Sequence, residues 1–246
     1  MKKNTTIILS VIALLFIGSS FSLAQENEKT TKKTPELPGD IVLDFGFNFV
    51  ESQPDTMDYN WFRSKSIGLY FVKSFDVSKK IEFRPGIGIN IDKFGEKGNR
   101  HLLNHVQDTA ANNLGNYILG YDTIQGDIKK TQFILSTIEI PVEFKFHLGK
   151  GDKRDGLFLS VGGSAAYNFE SKTKIKYTDV QGNKTKDKKK SDFNQPKLRF
   201  GAYGKLGYRG VSLYYKHYFT NMFNEDGPIG SENTRYSTIG ISITGL

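Results

Sequence analysis

The chain has 246 residues, enough for one domain with a sizeable core or one closed barrel. It has no cysteine, which excludes disulfides, thiolate zinc sites, a cysteine nucleophile and a cysteine-linked lipid anchor. The formal charge of +8 admits nucleic acid or anionic lipid as a partner, while 13% aromatic residues and 25 glycines suit a membrane barrel better than an ordinary globular domain.

Residues 1–24 read as a signal peptide. Lys2 and Lys3 form a positive start, Ile7 to Ile17 an apolar stretch, and Ser22-Leu23-Ala24 a small-x-small cleavage site. Export argues against nucleic acid as a partner. Residues 25–39 are polar, with Pro35 and Pro38, and read as a flexible periplasmic lead-in. Residues 40–246 hold the domain.

Strand one spans Asp40 to Val50, with Ile41, Leu43, Phe45, Phe47 and Phe49 on one face. A polar loop, Glu51 to Arg63, leads to strand two, Lys65 to Phe75. Asp76 to Lys80 reads as a short turn. Strand three, Ile81 to Phe94, sets Glu82, Arg84 and Asp92 opposite a row of isoleucines. Gly95 to Lys130 is a long insert with room for a short helix near Arg100 to Ala111. Strand four, Thr137 to Leu148 with Phe133 to Ser136 extending it, alternates without a break. Glu139, Pro141, Glu143, Lys145 and His147 oppose Ile138, Ile140, Val142, Phe144, Phe146 and Leu148. Pro141 removes a ladder donor there, so a bulge or a missing bond is expected. After the turn Gly149 to Gly156, strand five runs from Leu157 to Phe169. Glu170 to Gln195 reads as a long loop with a lysine-rich tip. Strand six is Lys197 to Tyr208 and strand seven Val211 to Thr220, joined by Arg209-Gly210. A loop, Asn221 to Thr234, precedes strand eight, Arg235 to Thr244.

Eight strands with alternately long and short connections predict an antiparallel up-and-down barrel with all its long loops at one end. Outer-membrane barrels have that asymmetry. A secreted, soluble lipocalin-like barrel is the alternative, with the apolar face inward. Two features favour lipid on the apolar face. The polar face is rich in Gly and Ser, which fit a narrow lumen. It also carries near-matched charge: Asp44, Glu82, Asp92, Glu139 and Glu143 against Arg84, Lys145, Lys197, Arg199, Lys205 and Lys216. A sealed lumen needs such an ion-pair network. The expected partners are outer-membrane lipid, lipopolysaccharide, and envelope proteins met through the loops.

Several short runs carry a family resemblance. They are Phe83-Arg84-Pro85-Gly86, Ile138-Glu139-Ile140-Pro141-Val142, Gly162-Gly163, and Tyr218-Phe219-Thr220-Asn221-Met222-Phe223 before Asp226-Gly227-Pro228. With these the chain resembles the PorT-like outer-membrane β-barrel proteins of Bacteroidota. The resemblance implies an eight-stranded barrel in the outer membrane. Some members serve protein secretion or gliding. It implies no catalytic residue and no cofactor.

Chemistry-bearing residues elsewhere are sparse. His101 and His105 lack the glutamate that a metalloprotease motif places after the first histidine. Asn224, Glu225, Asp226 and Glu232 do not match an EF-hand loop. Lys184, Lys186, Lys188, Lys189 and Lys190 could meet lipopolysaccharide phosphates or acidic glycan, but read first as a solvated loop tip. His217 falls on the apolar face near Thr220. Lipid A deacylase barrels place a nucleophile two residues after such a histidine, and here that position is Phe219. A lipid A-modifying enzyme using His217 is therefore the alternative to a non-enzymatic structural or interaction barrel.

Overall fold

The computed structural model describes residues 39–53, 58–96, 103–107, 117–120, 126–149, 156–224 and 233–245. The signal peptide and the lead-in up to residue 38 lie outside them, as do His101 and the acidic residues at 225, 226 and 232. The strands are β1 (Asp40–Glu51), β2 (Tyr59–Val72), β3 (Phe75–Ser78), β4 (Ile81–Glu96), β5 (Leu103–Gln107), β6 (Tyr117–Gly120), β7 (Gly126–His147), β8 (Leu157–Asp179), β9 (Lys184–Lys190), β10 (Leu198–Tyr208), β11 (Val211–Tyr218) and β12 (Arg235–Thr244).

Eight of them are staves of a closed antiparallel barrel. The order around it is β1, β2, β4, β7, β8, β10, β11, β12, with β12 returning to pair with β1. Closure removes free sheet edges, so every stave has a ladder on both sides. β3 folds back on the start of β4, pairing Phe75 with Phe83. The expected turn at Asp76 to Lys80 is thus a short hairpin arm. β2 begins at Tyr59, six residues earlier than its alternation indicates, because a bulge between Asn60 and Lys65 breaks the period.

Two expectations about the long connections are corrected. Where a short helix was expected, Leu103–Gln107 is a strand paired with Tyr117–Gly120. A helix that short cannot offset its nucleation cost, whereas a two-strand ladder satisfies the same backbone groups across the pair. The expected loop Glu170 to Gln195 is mostly strand. β8 continues to Asp179 and pairs with β9, and β7 reaches down to Gly126. Lysine alternates there with Thr173, Ile175 and Tyr177, so the period of two persists under a polar composition.

The alternation inverts a soluble protein. Leu69, Ile89, Ile140, Leu206 and Leu213 are more than half exposed around the outside, while the inward face is buried and polar. A soluble monomer exposes apolar patches of a few hundred Å² at most. Here they form a belt around the whole barrel, which only lipid can cover. That overturns the lipocalin-like alternative. Aromatic pairs mark the belt's upper rim: Trp61 stacks on Phe49 and Phe62 on Phe47, with ring centroids 5.7 and 6.1 Å apart. Pro141 leaves its trace too. The β4–β7 ladder pairs Pro85 with Val142 and resumes at Gly88 with Glu139, skipping two pairs without a register shift.

Candidate functional site

The lumen is filled with charged and phenolic side chains in three tiers. At the turn end, Arg84 meets Glu143 at 2.9 Å and Asp40 at 3.1 Å, and its Nε donates to Ser74 Oγ at 3.0 Å. Lys205 approaches Glu143 at 3.6 Å and Asp44 at 4.0 Å. Beside them His147 Nε2 lies 2.8 Å from Glu82 Oε1. In the middle tier the fully buried Glu139 takes Lys216 Nζ at 2.9 Å on both oxygens, Tyr70 OH at 2.7 Å and Tyr218 OH at 3.1 Å. In the upper tier Arg199 donates to Tyr236 OH at 2.5 Å, which donates to Asp92 at 2.7 Å. Asn48 and Asn90 complete the shell of Asp92 at 3.2 and 2.9 Å.

Two residues assigned to this network from sequence stand apart from it. Lys197 is exposed and precedes β10, because that strand begins one residue later than its alternation indicates. Lys145 makes no direct ion pair among the described residues: it is half-buried opposite Glu82, with its ammonium 4.2 Å from the Phe158 ring centroid, and reaches the network only through the field of Arg84, Glu82 and Glu143. Alternation in the sequence puts Tyr70, Tyr203, Tyr214 and Tyr218 on the inward face without assigning them to the network, and it does not place Tyr236; all five are inside. Their signal was the glycines. A Cβ at Gly162 would stand 2.4 Å from Val142 O and 2.9 Å from the Tyr203 ring, and one at Gly88 2.4 Å from the Tyr70 ring. Glycine there is the space a tyrosine occupies.

The lumen is closed at both levels. Near the turn end the space left beside Arg84, Tyr203 and Lys205 amounts to about 20 Å³, room for a single water. At the loop end an apolar plug seals it: Phe94, Phe133, Leu135, Phe193, Met222 and Phe223 pack with Tyr218 and Tyr236. The loop after β9 enters through left-handed residues, Phe193 and Asn194, with φ of 48° and 52°. Such a φ strains a phenylalanine, and burial of its ring offsets the cost. Asn224 N donates to Asn194 O at 2.9 Å, tying the loops after β9 and β11 over the mouth, and Met222 N donates to Thr234 O at 2.7 Å within the second of them. Three residues of the Tyr218-to-Phe223 run, Tyr218, Met222 and Phe223, therefore belong to the plug.

His217 faces outward near the upper rim. Its Nδ1 lies 2.9 Å from Ser237 Oγ and 3.6 Å from Glu51 Oε1, and Ser237 Oγ donates to Glu51 at 2.5 Å. These are the residue types of a nucleophilic triad. A working relay needs the acid and the hydroxyl on opposite ring nitrogens. Here both meet Nδ1, and Ser237 is buried beneath its neighbours. Tyr215 OH, 3.0 Å from the same oxygen, completes an interfacial polar cluster.

The strongest charge lies on the outward face above the belt. A bulge at Phe169 switches the parity of β8, so Lys172, Lys174 and Lys176 point the way Leu157 and Val161 point below. Their β9 partners are Lys190, Lys188 and Lys186. Across β7 the same rungs reach Lys93 through Ile134, then Lys65. Like charges directly opposite cost about 0.2–1 kcal/mol each. The carboxylates on this face are already engaged: Glu170 by Lys172 and Lys190, Asp127 by Lys129. Burial, and then the neighbouring Lys176, Lys93, Lys65 and Arg63, hold the Lys130 ammonium below its ordinary pKa. Lys174 is lowered by burial and then by Lys186, Lys176, Lys130 and Lys188.

The chain is similar to Ail, the attachment invasion locus protein of Yersinia pestis, at 11% identity over 85% of this chain and 99% of that one, with a TM-score of 0.36. A crystal structure of Ail in complex with the heparin analogue sucrose octasulfate gives 9% identity, 85% and 99% coverage, and a TM-score of 0.32. A de novo designed transmembrane β-barrel gives 9%, 85%, 98% and 0.29. No curated protein matches the chain. Residues 23–224 match the outer membrane protein beta-barrel domain, and with its closed eight-stranded barrel and lipid-facing belt the chain belongs to that family of the cell outer membrane.

Proposed function

We propose that this protein is a non-enzymatic outer-membrane barrel that acts as an interaction component of the cell envelope through its long-loop end. The carrying observation is the length of β7 and β8, 22 and 23 residues. A stave needs about 9–11 to cross a membrane. The excess, joined by β9, builds a sheet that rises above the hydrocarbon core, starting at headgroup level. Short turns belong in the periplasm, which puts this sheet outside the cell. A lumen packed with ion pairs supports rigidity in place of transport. The PorT-like resemblance adds protein-secretion or gliding machinery as the setting, with lipid and lipopolysaccharide around the belt.

Replacing residues 173–189 with an Asn-Gly turn tests the reading, since it leaves the membrane-crossing part of every stave intact. Affinity purification from cross-linked envelopes should recover proteins with the wild type that the shortened barrel loses. Identical sets from both would contradict it. For the enzymatic alternative, His217→Ala should leave the acylation pattern of cellular lipid A unchanged by mass spectrometry. A product present with wild type and absent with the variant would establish an enzyme.

A further inference from the structure

The outward face changes character at one level. Up to Ile91, Ile138 and Phe169 it is apolar; above that lysines dominate on β4 and β8, with Ile134 of β7 between them. We infer that the cationic rungs above the belt form a binding site for phosphorylated glycolipid headgroups of the surrounding outer leaflet. The inference deepens the partner reading above and rests on the same orientation.

Direction is the first support. These lysines continue the columns that face lipid below, so they look sideways into the headgroup layer and not upward from the loop crown. Shape is the second. A groove of about 540 Å³ opens on this face, with Phe62 and Ile134 in its lining beside Lys65, Lys93, Lys130 and Lys174. Ile134 shares its rung with Lys93 and Lys172, and apolar surface set among ammonium groups directly above the belt suits an amphiphile, with an acyl chain and a phosphate to place. A soluble polyanion would use the charge and leave the apolar part idle. Charge balance is the third. The carboxylates of this face are taken, and the lysines repel one another until a multivalent anion sits between them.

The test uses the full folded chain in detergent, with native mass spectrometry reading lipid retention. The probes are bis-phosphorylated lipid A and its dephosphorylated form. Wild type should retain the phosphorylated form at least about tenfold better. Lys93→Gln/Lys130→Gln/Lys174→Gln should lose at least about tenfold of that retention, while Lys79→Gln/Lys80→Gln at the turn end should match wild type. A heat-modifiable gel shift establishes that each variant is folded. Equal retention of the two lipid forms by wild type, or undiminished retention by the triple variant, would overturn the site. So would preference for a soluble sulfated polysaccharide over lipid A in phosphatidylcholine vesicles. Orientation is read separately by labelling Val180→Cys in intact cells. Labelling without lipid A preference rejects the site and keeps the orientation.

Discussion

Lys216→Met should lower the unfolding free energy of the barrel by about 3–5 kcal/mol, read by urea titration in detergent or lipid vesicles. Glu139 is fully buried, and Lys216 is the cation that spans both of its oxygens at 2.9 Å. Removing the ammonium leaves a carboxylate with two phenol donors and no countercharge, far from water. The double variant Glu139→Gln/Lys216→Met should recover most of the loss, because the remaining amide needs no compensating charge. The rescue separates an uncompensated charge from a packing defect. A single variant as stable as wild type would show that the middle tier carries no net electrostatic weight.

Phe223→Ala should cost about 3–5 kcal/mol in the same titration. Its ring packs 5.9 Å from that of Phe133, centroid to centroid, within a plug whose members are almost wholly buried. The rigid walls of a closed barrel cannot collapse into the cavity, so the upper part of the range applies. Phe62→Ala, at an exposed ring on the rim, should cost much less. Equal effects at the two positions would mean that the plug is loosely held and the mouth of the lumen is open.

The eight staves were legible because one face of each is continuously apolar, and a period of two survives single interruptions such as Pro141. The inward position of Glu139, Glu143 and Arg84 follows from the same alternation once the chain closes. The side of most lumen tyrosines was legible from the same alternation, but their role in the network was not. Tyrosine is amphipathic and occurs on both faces: Tyr70 and Tyr214 point in while Tyr167 and Tyr208 point out. The plug was not legible at all, since Phe193, Met222 and Phe223 lie in segments without periodicity. β9 was hidden by composition: a run of lysines reads as solvated loop, and only its pairing with β8 reveals a strand. Lys197 shows the limit of boundary reading, since one residue separates a stave from a solvent-exposed turn.

The central claim is that apolar residues face lipid and charged residues face a sealed lumen. Because the chain has no cysteine, single-cysteine variants report one position each. Bimane attached at Leu69→Cys and Ile140→Cys on the outer face, and at Ser164→Cys on the inner face, can be reconstituted in vesicles with brominated acyl chains. Strong quenching at the two outer positions and none at the inner one is the predicted result. Quenching at Ser164→Cys with none at Leu69→Cys would contradict the barrel as described.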